Sequence, residues 1–501
     1  MLENHFNLID SPWIPIADEG RVSLKQIFTE SNYRALGGNP VQKIATIKLL
    51  LAISQAACTP EDEGEWAKLG AEGLAQKCLD YLTEHHDDFW LYGEKPFLQM
   101  PQISPAVTQN LGAVLPEIAT GNTTVLNSIQ IESELSDADK AMLIVQLMGF
   151  GLGGKKTDNS IVLTAGYSGK SNDKGKVSTG KAGTSLGFMG FLHNFLQGKT
   201  LLQTLWLNLL THQQINGLAY SEGLGVAPWE KMPDGEDCET AKQLQNSLMG
   251  RLIPVSRFCL LNETGLHYSE GIAHLDYKNK MVVPSVAANF SGKVPKVLWV
   301  DPERRPWRFL TALLSFMEKN GSGFDCIYIR GGLVRARKTN KLEKIGVWSG
   351  GLRVSSNAGE QYVSGSDDFV ESVSFLHSDD LGENWYTHLK NEMEELEHLS
   401  KILYSSTFNY FKDQKSEGKN EAAQATHLFW QLCERKYQAL LLECKSEEKT
   451  KILRQTFARF ASTAYNSYCQ NETARQHELF AKYEPRFGKY LKDTKSQEIQ
   501  V

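Results

Sequence analysis

The feature that most constrains the fold is the scarcity of helix-breaking residues near the end of the chain. Between residues 383 and 501, only Gly418, Pro485 and Gly488 interrupt the helical pattern. Apolar side chains recur there every three or four residues, which is the spacing of one buried helix face. The first such run contains Trp385, Leu389, Met393, Leu396, Leu399 and Leu403. This spacing predicts a long helix that begins shortly after Gly382.

Three further stretches of helical pattern follow this first helix, over about 421–444, 447–468 and 472–492. Four antiparallel helices joined by short connections bury their apolar faces most simply as a four-helix bundle. We therefore predict a four-helix bundle over residues 381–501.

The first 380 residues mix helical and strand-like patterns. Short strand-like runs at the start lead into a helix, which Asn39 can cap and in which Pro40 suits the first position. Residues 191–212 have helical spacing, and one helix is expected near 306–317 among strand-like runs. The predicted fold class is α+β, with a large mixed α/β domain over residues 1–380 ahead of the bundle.

The composition excludes several classes of protein. The 501 residues include 53 Lys and Arg against 59 Asp and Glu, so a uniformly basic nucleic-acid coat is excluded and only local basic patches remain. The eight cysteines form no CxxC pair, which excludes zinc ribbons and thioredoxin-like motifs. Scattered cysteines, no signal-peptide pattern and no long apolar stretch predict a cytoplasmic protein without a membrane partner.

A glycine- and lysine-rich segment occupies residues 149–190. Eleven of its 42 residues are glycine, so it cannot form the core of a helix or sheet. We expect it to be mobile or to be ordered by a partner. Its lysines are Lys155, Lys156, Lys170, Lys174, Lys176 and Lys181.

The start of this segment leaves three interpretations open. Residues 149–156 nearly match the phosphate-binding pattern GxxxxGK[ST], and Asp301 after a strand-like run is a candidate magnesium ligand. Lys156 stands where that pattern needs Ser or Thr, which disfavours a P-loop-like nucleotide triphosphatase. A loop that grips a nucleic-acid backbone is more economical, and a flexible connector is the third interpretation. The zinc-protease motif HExxH does not occur.

A second basic cluster lies at residues 330–344, where six Lys and Arg residues occur with one acid, Glu343. Strand-like runs at 326–329 and 345–348 flank it, so the pattern predicts a basic hairpin. Such a hairpin either contacts phosphates or is a solvated tip.

Four short motifs occur in order along the chain, at residues 7–15 (NLIDSPWIP), 95–99 (KPFLQ), 149–155 (GFGLGGK) and 350–353 (GGLR). They resemble the motifs NLIDxxWIPV, HPFMQ, GFGGGFK and GGYR of one protein family. That family is the large subunit of the type I-E CRISPR surveillance complex, Cascade. The order and spacing of the motifs agree with the family over nearly the whole chain.

The resemblance implies DNA interrogation rather than catalysis, so no enzyme is expected. The family's large subunit recognises the protospacer-adjacent motif in duplex DNA, initiates strand separation for R-loop formation and helps recruit the helicase-nuclease. The implied partners are target double-stranded DNA, the 5′ handle of the CRISPR RNA, the helicase-nuclease effector, and the backbone, small and handle-binding subunits of the complex. No cofactor is implied. Some relatives carry a zinc-binding cysteine cluster, but only Cys259 lies in that region here, so no metal is predicted.

The resemblance also implies DNA-binding residues in the glycine-rich loop. Gly151, Gly153 and Gly154 would let the backbone approach base edges and sugars closely. Lys155 and Lys156 would add phosphate contacts.

Three other DNA or RNA contacts are carried over. The family's wedge, which pushes between base pairs, maps to Ser356, Asn357 and Ala358, one residue longer and with Asn in place of Gln. Its minor-groove lysine comes from a VKKGEV hairpin, where Lys293 or Lys296 is the candidate here. Its loop at the guide handle, FVN, maps to residues 125–127, which end in Asn127.

The bundle is expected to dock other subunits, and its basic residues are candidates for contact with the displaced strand. These residues are Lys412, Arg435, Lys436, Arg454 and Arg459. A purely structural scaffold subunit remains an alternative, and it predicts no loss of motif-dependent binding when the DNA-binding candidates are replaced.

Overall fold

The chain divides into two units. The first comprises Met1–Pro306 and Ser322–Val373, and the second comprises Trp307–Gly321 and Ser374–Val501. The structure, a computed structural model, describes residues 4–115, 134–151, 157–170, 190–318, 323–339, 342–354 and 369–491.

The strands of the described residues are short. They are β1 His5–Asn7, β2 Ile14–Ile16, β3 Gly20–Val22, β4 Trp90–Tyr92, β5 Thr108–Gln109, β6 His193–Gln197, β7 Arg257–Leu261, β8 Leu266–Glu270, β9 Ala288–Asn289, β10 Lys296–Val297, β11 Lys344–Leu352 and β12 Phe369–His377.

The helices range from single turns to the long helices of the second unit. They are α1 Leu24–Thr29, α2 Pro40–Ala57, α3 Glu63–Glu84, α4 Leu111–Val114, α5 Asp137–Phe150, α6 Leu201–Asn208, α7 His212–Asn216, α8 Glu239–Gln245, α9 Met249–Leu252, α10 Leu310–Leu313, α11 Ile327–Thr339, α12 Glu383–Asp413, α13 Lys419–Glu443, α14 Glu447–Tyr468, α15 Ala474–Tyr483 and α16 Gly488–Leu491.

The strands form small separate sheets instead of one large sheet. The strand orders are β1-β4, β2-β3, β9-β10, β5-β8-β7 and β12-β11-β6. Pairs such as β7 with β8, and β6 with β11, are antiparallel. Helices and small sheets in one chain confirm the α+β fold class.

The start of α2 follows the prediction from the sequence. The Asn39 side chain accepts from the backbone N–H of Gln42, and the Gln42 side chain accepts from the Asn39 N–H, with Pro40 in the first turn. Behind this cap, α2 is buried on nearly every side, so it lies in the core of the first unit.

The prediction of a helix over residues 191–212 is wrong for the first part of this range. Residues His193–Gln197 form β6, which pairs with β11 so that Phe195 lies opposite Trp348. A strand buried on both faces has the same apolar content as a buried helix, so periodicity alone does not distinguish the two. Helix begins only at Leu201, where Thr200 caps α6.

The predicted basic hairpin at 330–344 is also wrong, because Ile327–Thr339 form α11. The guanidinium of Arg335 is buried over the Trp66 ring, 4.7 Å from its centroid. Arg330 pairs with Asp325 at 2.7 Å, and Lys338 pairs with Glu63 at 2.6 Å. These basic side chains therefore serve packing and ion pairing within the protein.

The second unit is built on α12, α13 and α14, which pack against one another. The predicted apolar stripe of α12 is buried, from Trp385 through Leu403. The fourth predicted helix, over 472–492, is instead divided into α15 and α16. Pro485 explains the break, because proline lacks an N–H and disfavours helical backbone at the preceding residue, Glu484. Across the described ranges, no helix combines the length and apolar character that a membrane span requires.

Candidate nucleic-acid interface

Three of the predicted DNA-binding residues lie in described parts of the chain: Gly151, Lys293 and Lys296. The others lie outside the described residues, and they are Asn127, Gly153, Gly154, Lys155, Lys156, Ser356, Asn357 and Ala358. The site can therefore be built from the base of the glycine-rich loop and from the β9–β10 hairpin.

Helix α5 leads directly into the glycine-rich loop. Ser136 caps its start, and Phe150 is its last residue, so Gly151 follows as the C-cap. A P-loop follows a β-strand. The apolar run before this loop is a helix, which is the wrong element for the nucleotide triphosphatase alternative.

The end of α5 is held by the start of β7. The carbonyl of Met148 accepts from the N–H of Ser256 at 3.0 Å and from its hydroxyl at 2.6 Å. The guanidinium of Arg257 donates to the carbonyl of Gly151 at 2.7 Å. Carbonyls at a helix C-terminus lack partners within the helix, and here Ser256 and Arg257 donate the missing hydrogen bonds.

Lys170 is an interior residue, although the sequence places it among the lysines of the glycine-rich segment. Its amine lies 2.9 Å from the Glu236 carboxylate and 2.8 Å from the Ser269 hydroxyl, and both charged side chains are buried. Burial opposes ionisation of Glu236, but hydrogen bonds from the Thr164 N–H and from Lys170 outweigh it and hold the pKa of Glu236 below its usual value. Lys170 is therefore an anchor within the first unit.

The β9–β10 hairpin presents lysines and apolar side chains to solvent. In its ladder Lys296 lies opposite Asn289, whereas Lys293 lies in the tip. Asn289 stabilises the turn, because its side chain accepts from the N–H of Ser291 at 2.9 Å. Phe290 and Val294 in the tip are 42% and 64% exposed.

The base of this hairpin is fixed to the core of the first unit. Ala288 and Asp325 exchange two backbone hydrogen bonds, at 3.0 and 2.8 Å. Ala288 and Val297 belong to a buried apolar cluster with Phe191 and Val286. The hairpin is thus a rigidly based projection that carries exposed basic and apolar groups.

The structure places a group of buried basic side chains near the end of α5 that the sequence did not single out. Lys48 is buried, and burial together with Arg251 lowers its pKa to about 7. Its amine lies 3.9 Å from the position that a Cβ on Gly149 would occupy. Burial also lowers the pKa of His274 to about 3, and that of His193 well below its usual value. A signal for Lys48 was available, because it is a charge flanked by the apolar residues Ile47 and Leu49 within α2.

Of the basic bundle residues predicted to contact the displaced strand, Arg454 already forms an ion pair within the protein. Its guanidinium grips the carboxylate of Glu392 with two hydrogen bonds, and Glu392 is only 5% exposed. Lys412, Arg435, Lys436 and Arg459 are exposed. Arg454 therefore stabilises the packing of α12 and α14.

The comparison with known proteins decides the family. A model of the family described as CRISPR-associated protein Cse1 matches residues 7–467. This chain belongs to the Cse1 family. The match covers most of the chain and confirms the resemblance to the large subunit of type I-E Cascade.

Individual relatives agree with this assignment. CasA/Cse1 from Thermus thermophilus is 28% identical over 330 residues, a region that spans 62% of this chain and 60% of that relative. The crystal structure of Thermobifida fusca Cse1 has the same fold, with a TM-score of 0.75 at 19% identity and 98% of each chain covered. A chain from a CRISPR RNA-guided surveillance complex matches with a TM-score of 0.68 at 14% identity, covering 96% of this chain and 98% of that one.

Proposed function

We propose that this chain is the large subunit of a type I-E Cascade complex and that it reads the protospacer-adjacent motif in duplex DNA. The observation that carries the proposal is the Cse1 family match over residues 7–467. The exposed lysines and rigid base of the β9–β10 hairpin support it, because a duplex-binding protein needs cationic groups held in a fixed position.

In this proposal the duplex is held at the glycine-rich loop and the hairpin. Gly151, Gly153 and Gly154 allow the backbone to approach the groove, while Lys155 and Lys156 neutralise phosphates. The base pairs next to the motif are then opened by a wedge formed by Ser356, Asn357 and Ala358. Unstacking one base step costs a few kcal/mol, which binding to the bent and opened DNA offsets.

The remaining partners follow from membership of an RNA-guided complex. We assign contact with the 5′ handle of the CRISPR RNA to the loop containing Asn127. The second unit offers long helices to the backbone, small and handle-binding subunits, and the assembled complex recruits the helicase-nuclease. Guide pairing reads the target sequence, so the protein needs to read only the short flanking motif. The chemistry on the protein side is therefore binding and strand separation.

The hairpin provides the first test of DNA contact by described residues. Lys293 lies in the exposed tip, whereas Lys296 lies in the ladder, so we assign the minor-groove contact to Lys293. Lys293→Ala should reduce the slope of log binding constant against log salt by about 0.9, since one released counterion is lost. Lys296→Ala should change the slope much less.

The measurement is a salt titration of duplex binding by guide-loaded complex, with Lys231→Ala, another exposed lysine of the first unit, as control. A larger loss with Lys296→Ala than with Lys293→Ala would reverse the assignment. Unchanged slopes with both variants would remove the hairpin from the DNA interface.

A further inference from the structure

Arg257 occupies an unusual position for a charged side chain. It is the first residue of β7 and is only 3% exposed. Its two terminal nitrogens donate to backbone carbonyls, one to Gly151 at 2.7 Å and one to its neighbour Ser256 at 2.9 Å. Burying a guanidinium is unfavourable unless it is hydrogen-bonded, so the position of these carbonyls is coupled to Arg257.

The side chain of Arg257 also explains why residue 151 is glycine. The backbone of Gly151 has φ −70° and ψ 93°, which any residue can adopt. A Cβ at this position, however, would collide with the Cγ of Arg257 and lie 2.7 Å from its Nε. The glycine is therefore required by the close approach of Arg257, within the free protein and without DNA.

The electrostatics at this point favour a cation. The C-terminus of α5 carries the negative end of the helix dipole, and Arg257 lies against it. Glu270, on the neighbouring strand β8, is opposite Arg257 in the sheet register. Burial raises the pKa of Glu270, and Arg257 and then Lys170 act against that rise.

We infer that Arg257 is a positioning residue for the glycine-rich loop: it fixes the peptide of Gly151 and so sets where the loop leaves α5. No contact between Arg257 and DNA is involved, because the side chain is buried. The inference deepens the proposed function, on which its consequence for motif reading rests. In that function the hydrogen bond from Arg257 would hold the Gly151 peptide in a constant position against the DNA.

The anchoring itself is testable on the free chain without DNA. Amide hydrogen exchange, followed by mass spectrometry, should be at least tenfold faster at residues 149–151 in Arg257→Gln than in the parent protein. Arg257→Lys should fall between the two, because lysine keeps the charge and one donor. Unchanged exchange at these residues in Arg257→Gln would overturn the inference.

Arg335→Gln is the matched control, since Arg335 is equally buried and donates to Gln214 and to the carbonyl of Leu207. It should alter exchange in α6 and α11 and leave residues 149–151 as they are. Equal effects of Arg335→Gln and Arg257→Gln at residues 149–151 would show general destabilisation and would also overturn the inference.

The consequence for DNA is measured in guide-loaded complex. The ratio of Kd values for targets with altered and correct flanking motifs should fall at least fivefold in Arg257→Gln, while the salt slope stays at the parent value. A slope reduced by about 0.9 would mean that Arg257 itself contacts a phosphate, contrary to the inference. If the parent complex does not discriminate between motifs, the proposed function fails, and the exchange data still decide the positioning role.

Discussion

At the scale of single residues, two buried cations are held by groups far away in the chain. Arg257 donates to the carbonyl of Gly151 at 2.7 Å, and Lys170 pairs with the Glu236 carboxylate at 2.9 Å. Asn39 and Pro40 were predictable because capping depends on neighbouring residues only. The roles of Arg257 and Lys170 were not, because each depends on residues distant in the chain, such as Gly151 for Arg257 and Glu236 for Lys170. A charged residue within an apolar run indicates that the side chain is buried, but the sequence does not show which residue it contacts.

Lys48 makes stability depend on pH in a predictable direction. Its pKa falls from 10.5 to about 7 on folding, because of burial and then of Arg251. Between pH 7 and 10.5 the unfolded chain binds the extra proton, so this contribution to stability rises with pH and its full penalty is present below pH 7.

Lys48→Met should therefore be more stable than the parent near pH 6.5, and the difference should shrink as the pH approaches 10. Each unit of pKa shift corresponds to about 1.4 kcal/mol, so the effect is several kcal/mol. Thermal unfolding across this pH range measures it, with Lys43→Met on the same helix as the control. A difference in stability between Lys48→Met and the parent that does not change with pH would contradict the role assigned to Lys48.

At the scale of elements, the second unit was predicted better than the first. The long helices α12, α13 and α14 have sustained periodicity, and local pattern decides such elements. Strand β6 and helix α11 were misassigned because tertiary contacts decide short apolar elements. Helix α15 ends at Tyr483, before Pro485, whereas the sequence pattern predicted a helix that continued to residue 492. Proline is a local signal for a helix end, but the apolar spacing on both sides of it favoured a continuous helix.

The segment 157–170 illustrates how one ion pair orders a region poor in regular structure. Besides Lys170, Glu236 accepts from the N–H groups of Leu163 and Thr164, the latter at 2.9 Å. Lys170→Met leaves that carboxylate buried without its cation, so unfolding free energy should fall by about 3–5 kcal/mol.

Denaturant unfolding measures this loss, and the double variant Lys170→Met with Glu236→Leu should recover much of it. Lys199→Met, at an exposed position, is the control and should change stability by less than about 0.5 kcal/mol. A single variant as stable as the parent would show that the pair does not anchor the segment.

At the scale of the whole molecule, the family was recognisable from the sequence, although no single motif was specific. Four weak motifs in the correct order point to one family, and the match over residues 7–467 confirms it. The site was only partly predictable. The sequence indicated the loop and the hairpin, whereas the hydrogen bond from Arg257 to the carbonyl of Gly151 required the folded structure.

The most direct test of the central claim is gel-shift binding of guide-loaded complex, prepared with and without this chain. The targets carry the same protospacer and differ only in the flanking motif. We predict tight binding and strand opening only when both this chain and the correct motif are present. Equal binding to all flanking motifs in the presence of the chain would contradict the proposal and leave the chain a role in assembly alone.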